Sequence, residues 1–520
     1  MSQPIVSVVL HYENHDDLEK TLNSVKTILD QTNKAFEILL LSKTDDPKIN
    51  KGIDEQNKSN IPFRILKVDD KSLGKSVNTA FRSAEGEFIL YMDNRGLELF
   101  LKQAAIDLFL LVAFKNKKIG MVYADYEIVS GNTLKEIHLL KHHIGRVRDN
   151  QDYGKVFFFS KKALKEINFA DENLKYNTLY DLRLKISIKY DLVHIANRYA
   201  GSLYQVVSEG KSHNVFDYLL ASKESQLEAE QVLSNHLKAL GAYLKPGSHY
   251  GSKPVKEKNT ELKASVIIPV NNRPEFIGAA IESVQAQTVK EVEAIIVVNG
   301  GPDDPTCHEV RRYMPSGDKF NPDKPGVQLL IYDINNLGLC LNMGAKAARG
   351  EYYVQLDSDD RLKPDAVQKI LDVYDSDDRI GMVIGSYEVW KLDEDGTYSR
   401  MNELPVVTHG EWTEENGRNN LLRINGAGAP RSLPIALIKK IGFSVNEEPF
   451  ARNYGEDYNM VLEVSERHRI GRVWDPIYEV VRHAGGTDRA IDQHTIDRND
   501  EAKDYMRAEA IKRRIKLNKS

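Results

Sequence analysis

Three carboxylates follow one predicted buried strand in the second half of the chain. Residues 351–360 have the sequence EYYVQLDSDD, in which a strand-forming run leads into Asp357, Asp359 and Asp360. Oxygen ligands at a strand end suit Mg²⁺ or Mn²⁺, which can share its other coordination positions with a diphosphate. Taken alone, the same residues are more typical of a solvated acidic turn. Support for a metal site must therefore come from the rest of the chain.

Length and composition limit the class of protein. At 520 residues the chain exceeds one ordinary core, which predicts two domains. The 71 basic and 76 acidic residues are interspersed and give a net charge of -5, so no global attraction to nucleic acid is expected. With only Cys307 and Cys340, a disulfide framework and a Cys-rich zinc site are excluded, and a reducing cytosol is the expected location.

Neither the amino terminus nor the most apolar segment predicts export or a membrane span. The first ten residues, MSQPIVSVVL, lack the basic region and cleavage site of a signal peptide and predict a first strand. Charged residues interrupt the segment 97–114, so its uninterrupted apolar stretches are too short to cross a bilayer. It is predicted to be a core helix.

The two halves of the chain repeat one pattern. LGKSVN at 73–78 aligns with LGLCLN at 337–342, and EGEFILYMD at 85–93 aligns with RGEYYVQLD at 349–357. The offset is the same in both, since 342 − 78 and 357 − 93 each equal 264. A repeat this long indicates duplicated whole domains.

Each copy alternates short β-branched strands with helical segments, which predicts an α/β fold with a mostly parallel sheet covered by helices. The tail ends in IKRRIKLNKS and predicts a solvated surface helix with a basic end, a peripheral membrane or acceptor contact being the alternative. The expected parts are a first domain at 1–210, a helical connector and linker at 211–262, a second domain at 263–485 and the polar, basic tail at 486–520.

Ligands of such sheets lie beyond the carboxyl ends of the strands. In the second copy these ends carry polar residues that are individually turn signals: Asn271, Asn272, Arg273, Asn299 and Asp333. Because they converge on one sheet edge, they predict a ligand site. Asn299 or Asp333 is placed to hydrogen-bond the edge of a base.

Two later segments add candidate groups. Glu456 and Asp457 precede a predicted helix, where an acid is either an N-cap or a general base within reach of a hydroxyl. Arg482 and His483 end a predicted strand. A lone histidine is more commonly structural, although imidazole is an acceptable ligand for Mn²⁺.

Together these motifs resemble the inverting, nucleotide-sugar-dependent glycosyltransferases of family 2, which have the GT-A fold. The resemblance spans about 220 residues of the second copy and rests on these segments: VIIPV at 266–270 with Asn272 and Arg273, NLG at 336–338, NMGAKAARG at 342–350, DSD at 357–359, GED at 455–457, and Arg482 with His483. The tandem layout is similar to bacterial double-domain members that build surface polysaccharides.

The resemblance implies roles by position. Asp359, with Asp357 and His483, would bind Mn²⁺ or Mg²⁺, and Asp457 would deprotonate the acceptor while Glu456 and Arg482 position acceptor and diphosphate. The implied donor site comprises Pro269, Asn271, Arg273, Asn299, Asp333, Asn342, Asp357, Ser358 and Arg482. The implied reaction moves a hexosyl or N-acetylhexosaminyl group from a nucleotide-diphosphate sugar, with a UDP-sugar favoured, to a saccharide or lipid-linked saccharide. Asn299 stands where the family more usually has Asp, which leaves the base open.

The first copy departs from this pattern. Asp93-Asn94-Arg95 aligns with the acidic motif, Tyr180-Asp181 with Glu456-Asp457, and Ser208-Glu209 with Arg482-His483. A guanidinium cannot coordinate a cation, so we expect no metal-dependent transfer by this copy. In the alternative, Arg95 replaces the cation electrostatically and both copies are active.

Two other classes of function remain open. A non-catalytic carbohydrate-binding or assembly protein would be built from two inactive copies, which the intact acids of the second copy disfavour. A nucleotidyltransferase would need a Gly-rich phosphate loop after the first strand, and NNRPE at 271–275 offers none.

Overall fold

The computed structural model describes residues 3–68, 72–197, 201–207, 222–251, 260–408, 417–424, 428–445, 447, 455–483 and 492–520. They form two compact units, Met1–Leu240 and Gly241–Ser520. The division falls inside the connector expected at 211–262.

The first unit is built on a seven-stranded sheet with a four-stranded sheet beside it. Its strands are β1 Val6–Tyr12, β2 Phe36–Ser42, β3 Phe63–Lys67, β4 Phe88–Met92, β5 Glu98–Leu101, β6 Ile119–Ala124, β7 Tyr126–Ser130, β8 Thr133–Ile137, β9 Val156–Ser160, β10 Asp191–Ile195 and β11 Tyr204–Val207. Its helices are α1 Leu18–Leu29, α2 Pro47–Gln56, α3 Leu73–Ser83, α4 Ala105–Lys115, α5 Lys161–Glu166, α6 Thr178–Ser187 and α7 Lys223–Leu240.

The second unit is built on one nine-stranded sheet. Its strands are β12 Leu262–Val270, β13 Val292–Val298, β14 Gly326–Ile331, β15 Gly350–Gln355, β16 Arg361–Leu362, β17 Ile380–Leu392, β18 Tyr398–Arg400, β19 Arg431–Pro434 and β20 Arg469–Arg482. Its helices are α8 Pro274–Gln285, α9 Thr306–Arg311, α10 Leu337–Ala347, α11 Ala366–Ser376, α12 Gly417–Asn420, α13 Ile435–Ile441, α14 Glu456–Arg467 and α15 Gln493–Leu517.

The two units share one topology. The order β3-β2-β1-β4-β9-β6-β10 in the first corresponds to β14-β13-β12-β15-β19-β17-β20 in the second. The first four strands of each series pair in parallel, and β9 and β19 run antiparallel to both of their neighbours. This mixed, mostly parallel sheet covered by helices confirms the predicted α/β fold class.

Buried polar networks are duplicated as well. The Ser7 hydroxyl donates to Glu37 over 2.6 Å, and the Ser265 hydroxyl donates to Glu293 over 2.7 Å. In both units the glycine that follows the third helix donates its N–H to that serine over 3.0 Å. Because unpaired buried polar groups are costly, such networks fix one arrangement of strands and turn in each unit.

Two segments differ from their sequence-based predictions. The run 97–114 is not one core helix: it splits into β5 and α4, and the outer face of α4 is exposed. The tail forms α15, but this helix is not a solvated surface helix, because ten of its side chains are buried. Among the helices that the structure describes, none combines the length and apolar character needed to cross a bilayer.

Candidate active site

The ends of β12 and β13 bring predicted donor-site residues together. The Asn271 side-chain amide donates to the Asn299 side chain over 2.8 Å, and Asn299 donates to Asn335 over 3.3 Å. Asp333 is exposed just beyond β14, beside Gly301. This row of amides and one carboxylate offers hydrogen-bonding groups suited to the edge of a base.

A rigid loop shapes this edge. Asp304 accepts the backbone N–H of Asn272 over 2.8 Å and that of Thr306 over 2.8 Å. A Cβ at Gly300 would lie 2.3 Å from the Asp304 carboxylate, so a side chain at position 300 would displace that carboxylate. Pro269 pairs in register with Val297 near the end of β12, one residue before the loop.

The acidic motif lies against the end of β20. Asp360 is buried and accepts the backbone N–H of Val481 over 2.8 Å, which ties two segments 121 residues apart. This bond brings His483 to the motif, with Nε2 of His483 3.1 Å from Oδ2 of Asp359. Arg273 approaches the same Asp359 oxygen at 3.9 Å.

Burial and like charge act on the acids of this motif. Burial raises the pKa of Asp357, the nearby Asp359 raises it further, and the Arg431 guanidinium opposes the rise. Burial raises the pKa of Asp360 well above its usual value, with added repulsion from Asp357 and Asp359. Clustered acids of this kind are stabilised by a cation among them.

Arg431 is a site residue that the sequence analysis missed. It lies at the start of β19, and its guanidinium is 2.9 Å from Oδ2 of Asp457. Asp357, Glu456 and Asp457 all act electrostatically on it and raise its pKa. Arg431 therefore links the acidic motif of β15 to the start of α14, and the two predicted clusters share one site.

The paired acids at the start of α14 differ in charge state. Burial and the adjacent Asp457 raise the pKa of Glu456 to about 7. Burial acts to raise the pKa of Asp457 too, but Arg431 and the Lys503 ammonium outweigh it and the pKa falls below its usual value. Near neutral pH, Asp457 is therefore ionised, whereas Glu456 exchanges between its protonated and ionised forms.

Arg482 is the last residue of β20 and directly precedes His483. Together with His483 and with residues 391–395, at the end of β17 and in the turn that follows it, Arg482 lines a cavity of about 470 Å³. Ser358 is half-exposed between the two acids of its motif. The Arg482 guanidinium is suited to phosphate oxygens, whereas Asp393, Glu394 and Asp395 of the same lining oppose an anion.

Asn342 is placed differently from the other predicted donor-site residues. Its side chain donates to the Phe443 carbonyl and accepts the Phe443 N–H, both over 2.8 Å. In the first unit Asn78 makes the same pair of bonds to Ala170, over 2.9 and 3.1 Å. A contact kept in both units indicates that Asn342 clamps the backbone.

The residues present fit a divalent cation with few protein ligands. Among the residues described, no group of three His, Cys, Asp or Glu side chains is arranged as a ligand set. His483 and Asp359, whose facing atoms are 3.1 Å apart, would hold such an ion together with Asp357. Mg²⁺ is commonly held by one or two carboxylates plus substrate phosphates, and Asp357 and Asp359 would supply those carboxylates.

At the corresponding edge of the first unit, the acidic side chains are paired with basic side chains of the same unit. The Arg95 guanidinium makes two hydrogen bonds to the Asp93 carboxylate, over 2.7 and 3.0 Å. Asp181, the counterpart of Asp457, is bound by Lys185 over 2.6 Å. The Ser208-Glu209 counterpart of Arg482-His483 lies outside the described residues. That this unit performs no metal-dependent transfer stays a prediction.

Comparisons with known proteins agree with the second unit's motifs. Residues 265–434 match the family model described as glycosyl transferase family 2. An uncharacterised glycosyltransferase of Rickettsia conorii is 31% identical over 26% of this chain and 21% of its own length. Another, from Rickettsia bellii, is 21% identical over 90% of this chain and 68% of its own length.

One solved structure that the chain matches is S. aureus TarS 1-349 in complex with UDP-GlcNAc, at 18% identity and a TM-score of 0.34, covering 46% of this chain and 64% of that one. The chain spans between 21% and 59% of the length of the first three curated relatives that it matches. The match to the glycosyl transferase family 2 model is confined to residues 265–434, about a third of the chain, and lies within the second unit.

Proposed function

We propose that the second unit transfers a hexosyl or N-acetylhexosaminyl group from a nucleotide-diphosphate sugar, preferably a UDP-sugar, to a hydroxyl of a saccharide or lipid-linked saccharide, in the synthesis of a surface polysaccharide. The observation that carries the proposal is Arg431, which lies against Asp457 and within electrostatic range of Asp357. This contact supports one shared site for a donor-binding acid and a base candidate at the carboxyl edge of the sheet.

The residues divide into donor and acceptor groups. Asn271, Asn299 and Asp333 would contact the base, while Arg273 and Arg482 would contact the diphosphate. Asp359 and His483, with Asp357 close by, would hold Mn²⁺ or Mg²⁺, which would neutralise charge on the leaving diphosphate. The amide at position 299 leaves the choice of base to experiment.

Asp457 is the proposed general base. Its carboxylate would take the acceptor hydroxyl proton as that oxygen bonds to the anomeric carbon and the diphosphate leaves from the opposite face, with inversion. Ionisation at neutral pH and a fixed position against Arg431 favour Asp457. Glu456 is the alternative base, because a carboxyl that titrates near neutral pH is well matched to proton transfer.

The test is sugar transfer by purified full-length chain with a panel of UDP-, GDP- and dTDP-sugars. Asp359→Ala and Asp457→Asn should each reduce kcat by at least about a thousandfold with little loss of fold. Arg95→Ala, at the matching position of the first unit, should leave turnover intact. Full activity in Asp457→Asn would move the base role to Glu456, and loss in Arg95→Ala would make both units active.

A further inference from the structure

An apolar stripe runs along the outer face of α4 in the first unit. Leu108, Leu111 and Phe114 are 37%, 56% and 63% exposed, and we call these three residues the α4 stripe. Their spacing puts them on one side of the helix. The opposite side is buried through Ala105, Ile106, Phe109, Leu110 and Ala113. A helix that is apolar on both sides is expected to have its outer side covered.

Positive charge surrounds the end of this stripe. Lys115, Lys117 and Lys118 are all exposed within the last residue of α4 and the turn that follows it. Asp107, the acidic residue of α4, is already engaged by the Thr32 hydroxyl and by the Asn33 amide. Exposed Asp191, paired through its backbone with the Lys118 carbonyl, offsets only part of the charge.

We infer that the α4 stripe docks on an anionic lipid surface. Leu111 and Phe114, the two most exposed side chains, would enter the boundary between headgroups and acyl chains. The three lysines would lie at the level of the phosphates and attract them. Exposed apolar side chains beside a cluster of one sign of charge are the combination that binds such a surface, since each contribution is weak by itself.

A second copy of the chain fits this face less well. A two-fold dimer would place the same patch against itself, so the lysines at 115, 117 and 118 would face the same lysines of the partner. Like charges brought together in this way oppose association. The three apolar side chains also offer much less than the roughly 800 Å² per partner that stable interfaces bury.

The experiment is co-sedimentation of full-length chain with vesicles of phosphatidylcholine, with and without phosphatidylglycerol. We expect binding to the anionic vesicles that weakens as salt is raised. The variant Leu111→Glu/Phe114→Glu should bind at least about tenfold more weakly. Lys117→Glu/Lys118→Glu should lose the preference for phosphatidylglycerol. The matched control is Leu134→Glu, which alters a leucine that is 52% exposed on β8 and should bind like the parent chain.

Three results of the vesicle experiment would overturn the inference: absence of binding by the parent chain, equal binding by the stripe variant and the parent, or equal loss in the Leu134→Glu control. Light scattering on the same samples gives the mass of each variant. A parent dimer that the stripe variant converts to a monomer would assign the face to a second copy instead. Because vesicle binding needs no sugar transfer, these outcomes are independent of the proposed function.

Discussion

At the scale of single residues, the site is organised around the guanidinium of Arg431, which none of the sequence motifs predicted. Arg431 follows Ala429 and Pro430 in a segment without a recognised pattern, and it reaches the site because β19 runs antiparallel beside β15. The sequence predicted the acids, since acids at strand ends carry a chemical signal. It could not predict which later strand would place a guanidinium between them.

Arg431 should control the acid limb of the pH profile. The guanidinium lowers the pKa of Asp457 and opposes the rise at Glu456, so its removal should raise both pKa values. A base must be ionised to act, and the acid limb of kcat/KM in Arg431→Gln should therefore move to higher pH. Arg431→Lys, which keeps a charge, should move it less. An unshifted limb in Arg431→Gln, measured from pH 4 to about 9, would contradict the assigned role.

Glu456 should reduce the stability of the folded chain at alkaline pH. Its pKa is raised from 4.5 to about 7 in the folded chain, so the folded chain favours the protonated carboxyl. The contribution of Glu456 to the free energy of unfolding is therefore fully present at low pH and is lost as pH rises through 7. Glu456→Gln should thus be more stable than the parent at pH 8, by up to about 3 kcal/mol, and equal to it near pH 4. Urea denaturation at the two pH values measures this, and an equal difference at both would rule it out.

At the scale of elements, duplication explains which polar contacts are structural. Asn78 and Asn342 hold equivalent backbone segments through the same pair of hydrogen bonds. The sequence alignment placed these two residues at one position but could not show what they bind. The burial of helix α15 was not predicted for another reason. Its buried residues include Lys503, Arg507 and Arg514, so hydropathy does not show which side of the helix is covered.

The two asparagines provide a matched pair of stability tests. Asn342→Ala should cost about 1–3 kcal/mol, because it leaves the Phe443 N–H and C=O without their partner. Asn78→Ala should cost at least as much, since Asn78 is fully buried. Chemical denaturation measures both losses. If Asn342→Ala raised KM for the donor with no loss of stability, the residue would return to the donor site where the family resemblance put it.

At the scale of the whole molecule, two units with one topology have diverged at one edge. The sequence predicted the α/β fold and the strand ends that carry the polar residues, because strand patterns and strand-end motifs are local. The exposed face of α4 was not predictable, since an apolar segment indicates burial without saying which side is covered. The divergence lies in Arg95, which is bound to Asp93 where the second unit has Asp359 beside His483.

Binding stoichiometry tests the central claim most directly. We predict that titration of full-length chain with UDP in the presence of Mn²⁺ gives one site per chain, that Asp359→Ala abolishes this site, and that Arg95→Ala leaves it unchanged. Two sites per chain, or a site that survives Asp359→Ala, would contradict the assignment of donor binding to the second unit alone.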